Sequence, residues 1–135
     1  MPYILLVEDN QDNADLVIRI LEPAGFEIHH VVKGLDAAPA AKAHRPDLIL
    51  LDFNLPDIDG RNLILTLKRQ LGREKAPPIV AVTARTGQID EMIAERFGCV
   101  AFVRKPFDPA EFLALVLRLA PVNQPDSSSI KVNNG

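Results

Sequence analysis

Five short runs of apolar, strand-forming residues recur along the chain. They are Tyr3-Ile4-Leu5-Leu6-Val7, Ile28 to Val32, Leu48-Ile49-Leu50-Leu51, Ile79-Val80-Ala81-Val82 and Val100-Ala101-Phe102-Val103. Several are apolar throughout rather than alternating, which marks strands covered on both faces. Between and after them the period becomes that of a helix. Ala14, Val17, Ile18 and Leu21 stand at i, i+3, i+4, i+7, and Ile64, Leu67 and Leu71 keep the same spacing. Ile89, Met92, Ile93 and Phe97 form a third such face, and Phe112, Leu115, Val116 and Leu119 a fourth. The stretch Leu35 to His44 is alanine-rich and helical by propensity, and Pro39 should bend it or delay its start. Gly25, Gly72 and Gly98 fall just past three of these patterns, where a left-handed C-terminal cap is wanted. Strands alternating with helices predict an α/β fold, a parallel sheet with helices on both faces.

The 135 residues suit one domain, predicted over 1–120. The polar end at 121–135, rich in Pro, Ser and Asn, reads as a flexible tail. The longest apolar run, Phe112 to Leu117, falls far short of the roughly twenty residues a membrane helix needs. Glu8, Asp9, Asp12 and Asp15 crowd the start, where a signal peptide would be basic. The single cysteine, Cys99, can form no internal disulfide. It reads as a core residue and fits a reducing cytoplasm. A net charge of −3 and the absence of Trp argue against nucleic acid as a partner. His29, His30 and His44 have no zinc-ligand spacing.

In an open parallel sheet, ligands bind beyond the carboxyl ends of the strands. The residues that follow each run therefore decide the chemistry. Glu8 and Asp9 follow the first, Asp52 and Asn54 the third, Thr83 ends the fourth and the fifth leads into Lys105. Lys33-Gly34, after the second, looks like a turn. Three carboxylates brought together repel one another and call for a hard cation, and Mg²⁺ is held by few carboxylates, water and phosphate oxygens. A phosphoryl group would supply such oxygens, with Thr83 and Lys105 to neutralise the others. Asp52 is then a further ligand or the nucleophile.

At this point the chain resembles the receiver domains of two-component response regulators. Val7-Glu8-Asp9-Asn10, Leu51-Asp52-Phe53-Asn54-Leu55-Pro56-Asp57-Ile58-Asp59-Gly60, Val82-Thr83-Ala84 and Lys105-Pro106-Phe107 carry the likeness, in the family's order and spacing. The resemblance implies a doubly wound (βα)5 sandwich with strand order 2-1-3-4-5. It implies that Asp52 accepts a phosphoryl group from the phosphohistidine of a sensor histidine kinase or phosphotransfer protein. Mg²⁺ would be held by Asp9, Asp52 and the carbonyl of Asn54, with Glu8 acting mainly through water. Lys105 would pair with the acyl phosphate, Thr83 would swing its hydroxyl toward it, and Phe102 would be the switch aromatic. The Lys105–Pro106 bond is expected to be cis. Such a protein catalyses only its own phosphoryl transfer and dephosphorylation. It signals to a downstream protein through the face formed by the fourth helix, fifth strand and fifth helix.

Other readings compete. Haloacid-dehalogenase-type phosphohydrolases also use an aspartate and Mg²⁺, but they want a second aspartate two positions on, where this chain has Asn54. No glycine-rich phosphate loop supports a nucleotide site. With Met1 close to the first strand and only the tail after the fifth helix, a stand-alone regulator is expected rather than a receiver cut from a longer regulator or hybrid kinase. Asp57 and Asp59 read as loop acids beside a turn at Gly60, and Arg85 more as a surface charge than as a phosphate contact. Leu113, Leu117 and Ala120 make a second apolar stripe on the last helix. That stripe is expected on the surface, as a site for homodimerisation or partner docking.

Overall fold

The computed structural model describes residues 1–84 and 88–122, without the side chains of 88–90. The expectations for Arg85, for Ile89 and for the tail from 123 onward lie outside the described residues. The strands are β1 (Tyr3–Val7), β2 (Glu27–Val31), β3 (Leu48–Leu51), β4 (Ile79–Thr83) and β5 (Ala101–Arg104). The α-helices are α1 (Gln11–Leu21), α2 (Ala37–Ala43), α3 (Gly60–Leu71), α4 (Gln88–Arg96) and α5 (Pro109–Leu119). All strand pairings are parallel, and the order is β2-β1-β3-β4-β5.

The period of two along each strand splits the apolar runs between two cores. Ile4, Leu6, Leu48, Leu50, Val80 and Val82 pack with Ala14, Val17 and Leu21 of α1 and Phe112 and Val116 of α5. Leu5, Val7, Ile49, Leu51, Ile79 and Ala81 pack with Leu63, Ile64 and Leu67 of α3 and with the small face of α2, Ala37, Ala38 and Ala41. Each central strand feeds both cores, so it reads as unbroken apolar sequence. Cys99 is buried in the second core, and burial pushes its thiol up to about 12 against the opposing pull of Lys68 and the Ala81 backbone. It is a core residue, not a reactive one.

Local signals place the ends of the helices. Asn10 caps α1 by accepting from the Asn13 N–H, Asp59 caps α3 through Arg61 N–H, and Asp108 caps α5 ahead of Pro109. Pro39 lies in the first turn of α2, where its missing N–H costs nothing. A 3₁₀ turn over Gly34–Asp36 delays the helix to Ala37. Gly25, Gly72 and Gly98 all take positive φ.

Four details depart from the sequence pattern. The second strand begins and ends one residue early, and Val32 is left exposed. β5 starts at Ala101, not Val100, because Val100 has already turned to solvent. On α4 it is Ala94 that is fully buried, while Met92 is 53% exposed. The small alanine lets the helix close on the sheet, with Ile93 and Phe97 flanking it. Finally, the second stripe of α5 is only partly a surface feature. Ala120 is buried, and Leu113 and Leu117 are partly buried against the α1–α5 core.

Gly60, the first residue of α3, is buried, and a Cβ there would lie 2.8 Å from the Phe53 carbonyl oxygen and 2.5 Å from its ring. Helix propensity alone favours Gly60→Ala by up to about 1 kcal/mol. The backbone oxygen cannot yield, so the sign should reverse. We expect a loss of about 1–3 kcal/mol, read as a lower denaturant midpoint. A stabilised variant would show that the loop after β3 can shift freely.

Candidate functional site

β1 delivers Glu8 and Asp9 to the edge of the sheet, immediately before the Asn10 cap turns the chain into α1. β3, paired in register with β1, ends one residue before Asp52, whose N–H bonds the Val7 carbonyl. The three carboxylates each offer an oxygen within 4.8 Å of the others. Glu8 and Asp52 are buried and Asp9 is exposed, so the cluster opens to solvent on the Asp9 side.

β5 brings the counter-charge. Lys105 Nζ lies 2.7 Å from Glu8 Oε1 and 3.5 Å from Asp52 Oδ2. Its backbone N–H bonds the Thr83 carbonyl, which ties the end of β4 to the same edge. Thr83 is fully buried. The Lys105–Pro106 bond is cis, in line with the resemblance. Asn54 holds Asp52 from the other side, its N–H donating to Oδ1 at 2.9 Å. Phe102, paired in register with Ala81 two residues before Thr83, is partly buried against the α2–α3–α4 core. The Arg104 guanidinium lies 5.8 Å from its ring centroid and also pairs with Glu91 of α4.

Burial pushes the Glu8 carboxyl above its ordinary range. The Lys105 ammonium and the Asn10 N–H pull it down, and the charge of Asp52 pushes it up again. The chemistry of this donor set suits a divalent cation. An octahedral Mg²⁺ with ligands at about 2.1 Å keeps its oxygens within roughly 4.2 Å of one another, so small rotamer changes would close the set.

Sequence reasoning missed two supports. His30 Nε2–H donates to the Glu8 carbonyl at 2.7 Å, since a carbonyl can only accept. The β1–β2 register sets Leu6 opposite His30, and that register is not readable from the histidine itself. Asp57 is more than a loop acid. It accepts from the N–H groups of Gly34 and Leu35, pinning the loop after β3 to the turn after β2. Burial works against its charge, but the Leu35 and Gly34 N–H groups, its own N–H and Lys33 outweigh that and hold its carboxyl below the usual range.

Residues 4–117 match the family described as the response regulator receiver domain. The chain belongs to the response-regulator receiver family. It is 34% identical over 113 residues to the polar-differentiation response regulator DivK of Brucella anthropi, covering 84% of this chain and 91% of that one. The transcriptional regulatory protein CreB of Escherichia coli is 35% identical over 116 residues, which are 86% of this chain and 49% of CreB. Among solved structures, chemotaxis protein CheY4 of Vibrio cholerae superposes with a TM-score of 0.81 at 27% identity, over 88% of this chain and 98% of that one. The non-phosphorylated HemR receiver domain of Leptospira biflexa gives 0.80 at 26% identity, over 93% and 98%. Receivers are signalling proteins, and among the described residues of this one no helix is long and apolar enough to cross a membrane.

Proposed function

We propose that this receiver is a phosphorylation-controlled switch in which Asp52 takes a phosphoryl group from a histidine kinase or phosphotransfer protein. The observation that carries the reading is the joint placement of Asp52 between a cation and two further carboxylates. One oxygen of Asp52 attacks phosphorus, a P–O bond forms, and the P–N bond to the donor imidazole breaks. The Asn54 N–H, with Lys105 on the other oxygen, orients the attacking carboxylate. Lys105 already contacts the cluster and is placed to hold the oxygens of the acyl phosphate. Asp9, Asp52 and the Asn54 carbonyl are the residues to hold Mg²⁺, with Glu8 through water. When bound, the ion would offset the negative charge that carboxylate and phosphoryl share. Asn54 offers no carboxyl that could act as a general acid, which argues against a phosphohydrolase. The receiver then catalyses only its own phosphorylation and dephosphorylation.

A protein donor has a surface to use. Beside Lys105 opens a groove of about 330 Å³ lined by Leu16, Val17, Pro106 and Phe107, mostly apolar. For output, Thr83 would move toward the phosphoryl and Phe102 would fill the space it leaves, changing the face of α4, β5 and α5. Among the described residues, the exposed large apolar groups on that face are Met92 and Val100, so a downstream protein or a second copy would dock there rather than on the half-covered Leu113 and Leu117. The lone, buried cysteine suits the cytoplasm, where such a donor would be met.

A small acyl phosphate should add one phosphoryl group per chain in the presence of Mg²⁺ and essentially none after chelation, read by intact mass. Equal labelling without a divalent cation would overturn the role given to the acidic cluster.

A further inference from the structure

At the opposite end of the molecule from Asp52, where α3 and α4 finish and β5 begins, lies a second groove of about 420 Å³. Its floor is apolar. Leu65 is 40% exposed and Phe97 is partly buried beside it. Its rim is cationic, formed by Lys68, Arg73 and Arg96. The lysine is seated by packing. A Cβ on Gly98 would come 2.7 Å from Lys68 Cε, so its stem lies across that glycine and joins α3 to the turn after α4.

Cations in the last turns of helices complement the helix dipole, and Lys68 and Arg96 serve that purpose here. The dipole does not account for Arg73, which lies beyond α3. The Leu71 carbonyl near that terminus already accepts from Arg45. Among the described residues, no carboxylate lies within ion-pair distance of Lys68, Arg73 or Arg96. The acids nearest in sequence, Glu74 and Glu95, do not line the groove. Three positive charges thus frame an apolar floor on a chain whose net charge is −3.

We infer that this groove docks an acidic segment of a partner protein, with carboxylates on the rim and one aliphatic or aromatic side chain on Leu65 and Phe97. The inference goes beyond the phosphoacceptor reading and does not depend on it. A compact phosphate fits less well. The three cations stand on separate long stems around an apolar floor. Spaced carboxylates on a peptide match spaced cations, and the apolar anchor uses the floor that a phosphate would leave bare. Docking here would leave Asp52 open to its donor.

The test is a selection of displayed random peptides on the full chain. Binders should share acidic residues around a Leu or Phe and weaken as salt is raised. Their addition should shift backbone amide resonances around Leu65, Lys68, Arg73 and Gly98. Arg73→Glu/Arg96→Glu should weaken them at least about tenfold, while phosphorylation by a small acyl phosphate stays unchanged and vouches for the fold. A selection without an acidic consensus overturns the inference. So do binders indifferent to the charge reversal, binders that shift another face, and stronger competition from inorganic phosphate than from the peptides.

Discussion

Asp52→Asn is expected to take phosphoryl incorporation from one group per chain to none. The substitution keeps the size and shape of the side chain and an acceptor for the Asn54 N–H at 2.9 Å. It removes only the anionic oxygen that attacks phosphorus, since an amide oxygen is a poor nucleophile. The fold should withstand the change. Asp52 is buried close to Glu8 and Asp9, so neutralising it in the metal-free protein relieves repulsion from two carboxylates, which offsets the lost attraction to Lys105. The variant should therefore unfold no earlier than the wild type. Intact mass after incubation with a small acyl phosphate and Mg²⁺ reads the result directly. A fully labelled Asp52→Asn chain would move the acceptor to another residue and overturn the proposed function.

Lys105→Met should destabilise the metal-free protein by about 3–5 kcal/mol at neutral pH, because it strands Glu8 and Asp52 without their cation. Both carboxylates are nearly buried, and the ammonium touches Glu8 at 2.7 Å. The sign of the pH dependence follows from Glu8. Its carboxyl already sits above its ordinary value because of burial, and Lys105 is the main group restraining it. Without the lysine it rises further. An acid whose folded pKa is raised costs stability when ionised. That cost is present in full above the folded value and disappears below the unfolded value of 4.5. The deficit should therefore be largest near neutrality and shrink as pH falls toward 5, measured by denaturant unfolding of both proteins. An equal deficit at both pH values would assign the loss to packing of the lysine stem instead.

The contrast between Lys105 and His30 shows what a linear chain can reveal. Lys105 follows an apolar run, and in a parallel sheet that position is an address: the end of a strand at the common edge. Glu8, Asp9, Asp52 and Thr83 are legible for the same reason. His30 lies inside a strand, and only its register against β1 brings its ring to the Glu8 carbonyl. Asp57 is similar. It stands in a loop, and the partners it holds are 22 and 23 positions away in sequence.

Apolar patterning determined by itself that the chain is a sheet-and-helix domain, because period and run length follow from which faces must be dry. It could not determine how a two-sided helix is rotated. The sequence leaves α5 with more leucine than one core stripe requires and α4 with Met92 as a plausible core residue. Tertiary packing buries Ala120, half-covers Leu113 and Leu117, and turns Met92 outward in favour of Ala94. The cationic groove likewise exists only in three dimensions. Lys68, Arg73 and Arg96 belong to separate segments, and it is the closing of α3 against the turn at Gly98 that brings them around one apolar floor.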